Sequence, residues 1–355
     1  MKNKSVFEKA MSSLNSKPKV WIISGVAGFI GSNLLEHLLL NNQYVIGIDN
    51  FSTGHQANLE DVQRKVSSAQ WKNFIFNIGD IRELDDCIKT FQSVTEFKKE
   101  TVDFVLHQAA IGSVPRSIED PIFSHSNNIS GFLNFLYCAK EQRVKKFIYA
   151  TSSSVYGDEE TLPKIEHKIG NLLSPYALTK LSNELYAKVF GLNYGINTIG
   201  LRYFNVFGPR QDPNGAYAAV IPKWINNFIN NETVEIYGDG KTTRDFCFIE
   251  NVVQANILAA LSDREESRDQ VFNIAVGSQI TLSELALLIK DKLQKLEIQS
   301  NFHLKYGDFR QGDIRHSLAN IQKAAKILEY SPSYNVSSGL SKSMHWYLKR
   351  NEIQN

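Results

Sequence analysis

The sequence predicts an α/β protein: a doubly wound parallel sheet, followed by a smaller mixed α/β C-terminal domain. Three observations lead there. Short apolar runs alternate with amphipathic stretches through the first two-thirds of the chain. A glycine triplet, Gly25-x-x-Gly28-x-x-Gly31, follows directly on the first apolar run. After Phe204 the pattern breaks into Gly-, Pro- and Asn-rich loops between short elements. Short buried strands interleaved with helices call for a parallel sheet with helices on both faces.

Residues 5–14 read as one short helix on the main body, and 19–23 as the first strand. Helix 31–40 carries Leu34, Leu35, Leu38 and Leu39 at helical spacing. Strand 44–48 ends at Asp49, strand 73–78 is followed by helix 84–91, and strand 104–107 comes next. Helix 130–141, strand 146–150, a long helix 176–194 and strand 198–202 complete the alternation. Beyond it, helices recur at 219–230, 252–261 and 282–294, with 252–274 returning to the first domain. The expected boundaries are an N-terminal extension at 1–18, a dinucleotide domain at 19–203 plus 241–276, and a second domain at 204–240 plus 277–350.

Composition excludes several classes. The 355 residues are 43% hydrophobic and 21% charged, ordinary for a soluble globular enzyme. Lys plus Arg total 39 against 37 Asp plus Glu, so no net field recruits nucleic acid or an anionic membrane. No apolar run approaches the ~18 residues that span a bilayer. The first 19 residues are polar and lack the apolar core of a signal peptide, so a cytoplasmic protein is expected. Cys87, Cys138 and Cys247 are far apart and odd in number, which suits reduced, buried thiols. The 8 histidines show no HxxxH pattern, so no metal is expected, and His107 reads as a satisfied strand-end residue.

The glycine triplet varies the Rossmann fingerprint GxGxxG but keeps its physics. A strand end, a tight turn and a helix N-terminus bring free N–H groups to a pyrophosphate. Asp49 lies 49 − 31 = 18 residues past the last glycine, near the ~20 expected for a carboxylate on the adenosine ribose. Such a carboxylate repels a 2′-phosphate, which favours NAD over NADP. Asp80 suits an adenine-edge contact or plain solvent exposure, and Gln108-Ala109-Ala110 offers small residues after a strand.

Tyr176 and Lys180 add chemistry, with Ser152 lying 176 − 152 = 24 residues upstream of the tyrosine. A phenol acts as a general base near neutrality only if its pKa falls from about 10 toward 7. An ammonium one helical turn away favours the phenolate. Proton acceptor, hydride acceptor and hydroxyl donor together describe redox chemistry on an alcohol.

These residues carry a family likeness. Gly25–Gly31 (GVAGFIG), His107-Gln-Ala-Ala110, Ser152-Ser-Ser154-Val-Tyr-Gly157, Tyr176-x-x-x-Lys180 and the run from Leu201 to Pro209 resemble the extended short-chain dehydrogenase/reductase family. Within it the chain resembles nucleotide-sugar 4-epimerases, most of all those acting on UDP-N-acetylhexosamines in bacterial surface-polysaccharide pathways. Gly112–Ser117, Gln211–Pro222 and Phe309–Ser317 carry that likeness.

The resemblance implies that Tyr176 removes the 4-hydroxyl proton, Ser152 hydrogen-bonds the same oxygen, and Lys180 holds the nicotinamide ribose. It implies Asn205, Arg244 and Arg310 at the diphosphate of a UDP-sugar, and Asp313 on the uridine ribose. Ser317 stands where epimerases restricted to plain hexoses are expected to carry tyrosine, leaving room for a 2-acetamido group. Gly112, Ser113, Ser153 and Ser154 offer small groups for an N-acetyl or C6 substituent. The candidate substrate set is completed by Gln211, Ala219, Val220, Lys223, Trp224, Glu235 and Tyr237. The candidate cofactor set comprises Gly25, Gly28, Phe29, Ile30, Gly31, Asp49, Asn50, Ser52, Thr53, Gly54, Asp80, Ile81, Gln108, Ala109, Ala110, Tyr176, Lys180 and Tyr203.

A homodimer bundling helices 130–141 and 176–194 is also implied. The stripe Leu181, Leu185, Val189 fits that face or an intramolecular core. Dehydratases and decarboxylases of the family place acids beside the catalytic hydroxyl, where this chain has Ser153 and Ser154. A uronate 4-epimerase, whose substrate has a carboxylate at C6, and a non-catalytic NAD-binding sensor both stay open.

Overall fold

The computed structural model describes residues 5–214, 218–298, 303–309 and 314–354. Strands β1 (Val20–Ser24), β2 (Tyr44–Asp49), β3 (Phe74–Ile78), β4 (Phe104–His107), β5 (Lys146–Ser152) and β6 (Thr198–Tyr203) share one sheet with a seventh strand, Gln270–Ile274. The order is Gln270–Ile274, β6, β5, β4, β1, β2, β3, with every neighbouring pair parallel. Strand order therefore reverses between β1 and β4, and the crevice beyond their C-terminal ends is where doubly wound folds bind ligands. The glycine loop leaves β1 and residues 108–110 leave β4, so both open on that crevice.

The apolar pattern accounts for these elements. All five residues of β1 are buried, as a central parallel strand requires. Leu34, Leu35, Leu38 and Leu39 are fully buried on helix Phe29–Leu40. The N-terminal helix Val6–Ser16 opens with a Ser5/Glu8 capping box and packs Met11 and Leu14 onto the main core. That core runs without a break from Trp21 and Leu34 to Phe207, Trp224 and Leu285, so the second part of the chain shares the packing of the first. A second cluster, including Ile22, Phe132 and Phe147, packs apart from it.

Some elements go beyond the sequence reading. Strand 146–150 extends to Ser152, carrying that hydroxyl to the end of the strand. Helix Gln56–Lys65 buries only Leu59 and Val62 among its apolar residues, too thin a stripe to register. The C-terminal helix Val336–Gln354 buries Leu340, Met344 and Tyr347 between serines and lysines.

Candidate active site

A cavity of about 340 Å³ lies over the crevice. Gly25, Gly28, Phe29, Ile30, Gly31, Asp49, Asn50, Ser52, Thr53, Gly54, Ile81, Gln108, Ala109, Ala110 and Gly112 all line it. The glycines are needed for their size. Gly25 sits at φ +70°, and a Cβ there would stand 2.8 Å from Ala109 Cα. A Cβ on Gly31 would stand 2.1 Å from the Gly25 carbonyl oxygen, so helix Phe29–Leu40 can start this close to the turn only with glycine there. Asp49 accepts from the Ala27 N–H (2.9 Å) and the Phe51 N–H (2.8 Å), so its carboxylate ties the loops after β1 and β2 together. Burial raises its pKa, opposed by those same backbone hydrogen bonds. A carboxylate has about four lone-pair sites, which leaves acceptor capacity for ribose hydroxyls. The small-residue cradle, the helix N-terminus and Asp49 together fit a dinucleotide.

Other cofactor candidates have protein partners. Asp80 holds Arg82 at 2.7 Å and Asn50 at 2.9 Å, and its pKa is lowered, chiefly by the Arg82 hydrogen bond. Tyr203 donates to Gln108 Oε1 (3.2 Å) and accepts from Asn256 Nδ2 (2.9 Å), a buried triangle that fixes the exit of β4. His107 is fully buried with Nδ1 2.9 Å from Ser24 Oγ, and burial pushes its pKa down to about 3. It is a neutral structural residue.

Tyr176 and Lys180 stand in the first turns of helix Pro175–Tyr194, whose N-cap Ser174 accepts from the Ala177 N–H. The Tyr176 N–H donates to Ser117 Oγ at 3.0 Å, so the segment after Gly112 fixes the first turn of this helix. Buried Lys180 donates to the Ala150 carbonyl at 3.0 Å, directly beneath Ser152 on β5. Its Nζ lies 6.0 Å from the Tyr176 ring centre. Desolvation lowers the lysine to about 8, with Glu184 opposing. Helical spacing led us to expect a phenol already depressed by the ammonium, and here the structure corrects the sequence. Desolvation raises Tyr176 above the usual phenol range, and only the Ser152 hydroxyl opposes it. Burial is a tertiary property that residue spacing cannot report.

The sequence reading missed the group behind Lys180. Glu184, one turn further along the helix, accepts from Arg202 Nε (2.9 Å), Arg202 Nη2 (2.7 Å) and Thr151 Oγ1 (2.7 Å). The signal was an arginine inside the apolar strand β6, since a buried charge needs a partner. Asn58, His55, Asn127, Arg210 and Asp212 on the cavity were missed as well.

Among the substrate candidates, Ser113 adopts φ +101° and accepts from the Arg116 N–H, a strained turn beside Gly112. Ser152 Oγ bonds Ser154 Oγ and accepts from the Ser154 N–H, both at 3.1 Å, so the serine run forms one hydroxyl cluster next to half-buried Ser153. Asn205 (φ +34°) donates to the Asp245 carbonyl, and Arg244 donates to the Thr243 carbonyl at 2.9 Å. The Ser317 N–H donates to that same Thr243 carbonyl at 3.2 Å, which brings Arg244 and Ser317 together. Buried Asp245, raised to about 6 by desolvation, secures this junction by accepting from Val276, Gly277 and Ala319.

Gln211 donates to the Val206 carbonyl while its buried Oε1 has no partner among the described residues. Ala219 caps the helix that carries Val220, Lys223 and Trp224. Trp224 is packed into the apolar core. Glu235 and Tyr237 bond each other along strand Val234–Tyr237. Arg310 and Asp313 lie outside the described residues.

A model of the NAD dependent epimerase/dehydratase family matches residues 21–275. The structure resembles the UDP-N-acetylglucosamine 4-epimerase from Methanobrevibacter ruminantium M1 in complex with UDP-N-acetylmuramic acid. Identity is 36% and the TM-score 0.83, over 94% of this chain and 99% of that one. UDP-glucuronic acid 4-epimerase from Bacillus cereus, in complex with UDP-glucuronic acid and NAD, is 30% identical at a TM-score of 0.81, over 93% and 99% of the two chains. A putative UDP-glucose 4-epimerase from Methanocaldococcus jannaschii is 33% identical over 331 residues, 93% of this chain and 99% of the relative.

Proposed function

The chain belongs to the NAD-dependent epimerase/dehydratase family, and from that premise we propose that it interconverts UDP-N-acetylglucosamine and UDP-N-acetylgalactosamine at C4, with the plain UDP-hexoses as further substrates. The cofactor is NAD. The observation that carries the reading is the convergence of Ser152, Tyr176 and Lys180 at the end of β5.

In this reading Tyr176 takes the proton of the sugar 4-hydroxyl, and Ser152 hydrogen-bonds the same oxygen. Bound NAD supplies the nicotinamide that accepts hydride from C4 and returns it. Burial alone keeps the phenol protonated, so the Ser152 hydroxyl and the Lys180 ammonium must offset that burial when the base is needed. Asn205 and Arg244 hold the diphosphate while the 4-keto hexose turns over and exposes its other face; Arg310 and Asp313 are assigned to the same anchor by resemblance. A guanidinium fork suits this role because its hydrogen bonds to phosphate are charge-assisted and directional. Ser153 and Ser154 put no acid beside the reacting hydroxyl, which disfavours elimination and decarboxylation.

The acetylated sugar is assigned on Ser317, a small residue next to Arg244. Ser317→Tyr is expected to abolish interconversion of the N-acetylated pair while sparing UDP-glucose/UDP-galactose, since an added ring in a packed wall costs about 1–3 kcal/mol or more. Equal losses on both pairs would remove Ser317 as the gate. Comparing kcat/KM for UDP-glucose, UDP-N-acetylglucosamine and its C6 uronate decides the substrate, and preference for the uronate would replace this reading.

The same proposal includes a cytoplasmic homodimer. On helix Pro175–Tyr194, Leu185 (57% exposed), Val189 (49%) and Leu192 (75%) face outward, and Leu181 is half-buried. Most of that stripe is therefore not intramolecular core, and an exposed apolar face of this kind supports an association surface there.

A further inference from the structure

We propose that Gly208–Asp212 is a strap that closes the cofactor cavity and sets how long NAD stays bound. The proposal deepens the recycling reading above, in which the cofactor never needs to leave. Among the described residues, those lining the cavity fall between Gly25 and Asn127, except Arg210 and Asp212. Those two arrive from the distant loop after β6, so the cavity is walled on one side by a segment that crosses from the second half of the chain.

The strap is fastened at both ends and in the middle. At its start, the Gly208 carbonyl accepts from Tyr347 of the C-terminal helix at 2.9 Å. In the middle, Pro209 and Arg210 dock on the two helices beside the glycine loop. The Pro209 carbonyl accepts from Asn33 Nδ2 at 3.0 Å. Arg210 reaches Asn33 Oδ1 at 2.8 Å, Glu36 at 2.6 Å and Asp61 at 2.8 Å. At its end, Asp212 faces His55 Nε2 at 3.2 Å and Arg350 Nη2 at 2.9 Å.

Two further features set the middle anchor apart from ordinary loop packing. Arg210 is 2% exposed yet holds φ +69°, a conformation that costs energy for a residue other than glycine and persists only where the surroundings impose it. Its Nε is buried without a partner among the described residues, although the residue lines the cavity. A buried donor left unsatisfied costs free energy, which an acceptor on a bound ligand would relieve. Desolvation notwithstanding, Lys65 and Arg210 hold Asp61 below the usual carboxylate range, so the anchor is ionised at neutral pH. Residence time is where affinity is mostly tuned, and a strap bridging three helices slows dissociation without touching the reacting carbon.

The test uses the holoenzyme. Purified wild type, Asp212→Ala and Arg350→Ala are each mixed with excess fluorescent etheno-NAD, and exchange of the bound dinucleotide is timed. Arg350 does not line the cavity; it reaches the strap through Asp212 and otherwise stacks over Trp346 of its own helix. Arg264→Ala, which breaks a surface pair with Glu329 elsewhere, controls for general loosening. Release is expected to quicken about five- to tenfold in Asp212→Ala, which loses two partly exposed pairs, less in Arg350→Ala, and not in the control. Unchanged release in both strap variants, or equal quickening in the control, overturns the strap. A wild type that consumes added NAD stoichiometrically and frees an oxidised sugar overturns the recycling reading instead, and the exchange rates still judge the strap.

Discussion

Replacing Glu184 with glutamine is expected to weaken the fold and to move the activity profile toward acid. Glu184 is 8% exposed and receives two hydrogen bonds from Arg202, itself 3% exposed. Glutamine keeps the shape, but one oxygen becomes an amide that turns N–H groups toward the guanidinium. Removing one partner of a buried pair costs about 3–5 kcal/mol. Against a total of about 5–15 kcal/mol the variant folds with a clearly lower urea midpoint. The second effect is electrostatic. Burial pulls Lys180 down to about 8, and Glu184 is what opposes it. Without that carboxylate the lysine pKa falls further, so the ammonium is lost at a lower pH. If the ammonium is the form that supports Tyr176, the alkaline limb of kcat must shift to lower pH in Glu184→Gln. Stopped assays of sugar interconversion across the pH range, with circular dichroism at each pH, measure both effects. A folded variant whose alkaline limb stays in place would show that Glu184 is only a structural ion pair and that this reasoning about Lys180 is wrong.

Two other outcomes follow from the geometry. Gly31→Ala puts a methyl 2.1 Å from the Gly25 carbonyl, which forces the turn apart and is expected to strip NAD from the purified protein; a variant that still yields stoichiometric NAD on denaturation would contradict the cradle. Leu185→Glu with Val189→Glu is expected to convert a dimer into single chains in light scattering, and a single-chain mass for wild type at micromolar concentration would remove the dimer.

Much of the fold was readable because one periodicity dominates it. Strand 104–107 and helix 282–294 match their sequence limits, since apolar runs flanked by polar turns leave little choice of boundary. The glycine loop and Asp49 were readable because their chemistry is local: a turn, a helix start and a carboxylate at fixed spacing. What escaped was non-local. Glu184 and Arg202 sit on different elements, a helix and a strand whose packing no periodicity reports, and Arg210 and Asp212 reach a cavity built more than 80 residues earlier in the chain, beyond any local window of sequence. Trp224 was proposed at the substrate, yet its ring is packed into the core, where an aromatic on a buried helix face belongs. The direction of the Tyr176 shift was misread for a similar reason, because desolvation depends on everything packed around the ring.

The central claim is that a C4 hydrogen leaves the sugar and returns to it within one closed site. Incubating the enzyme, with no added NAD, with UDP-N-acetylglucosamine carrying deuterium at C4 tests this most directly, with mass spectrometry and NMR of both epimers. The epimer is expected to accumulate with its deuterium still at C4. Loss of the label to water, or turnover that stops unless NAD is supplied in step with product, would contradict it.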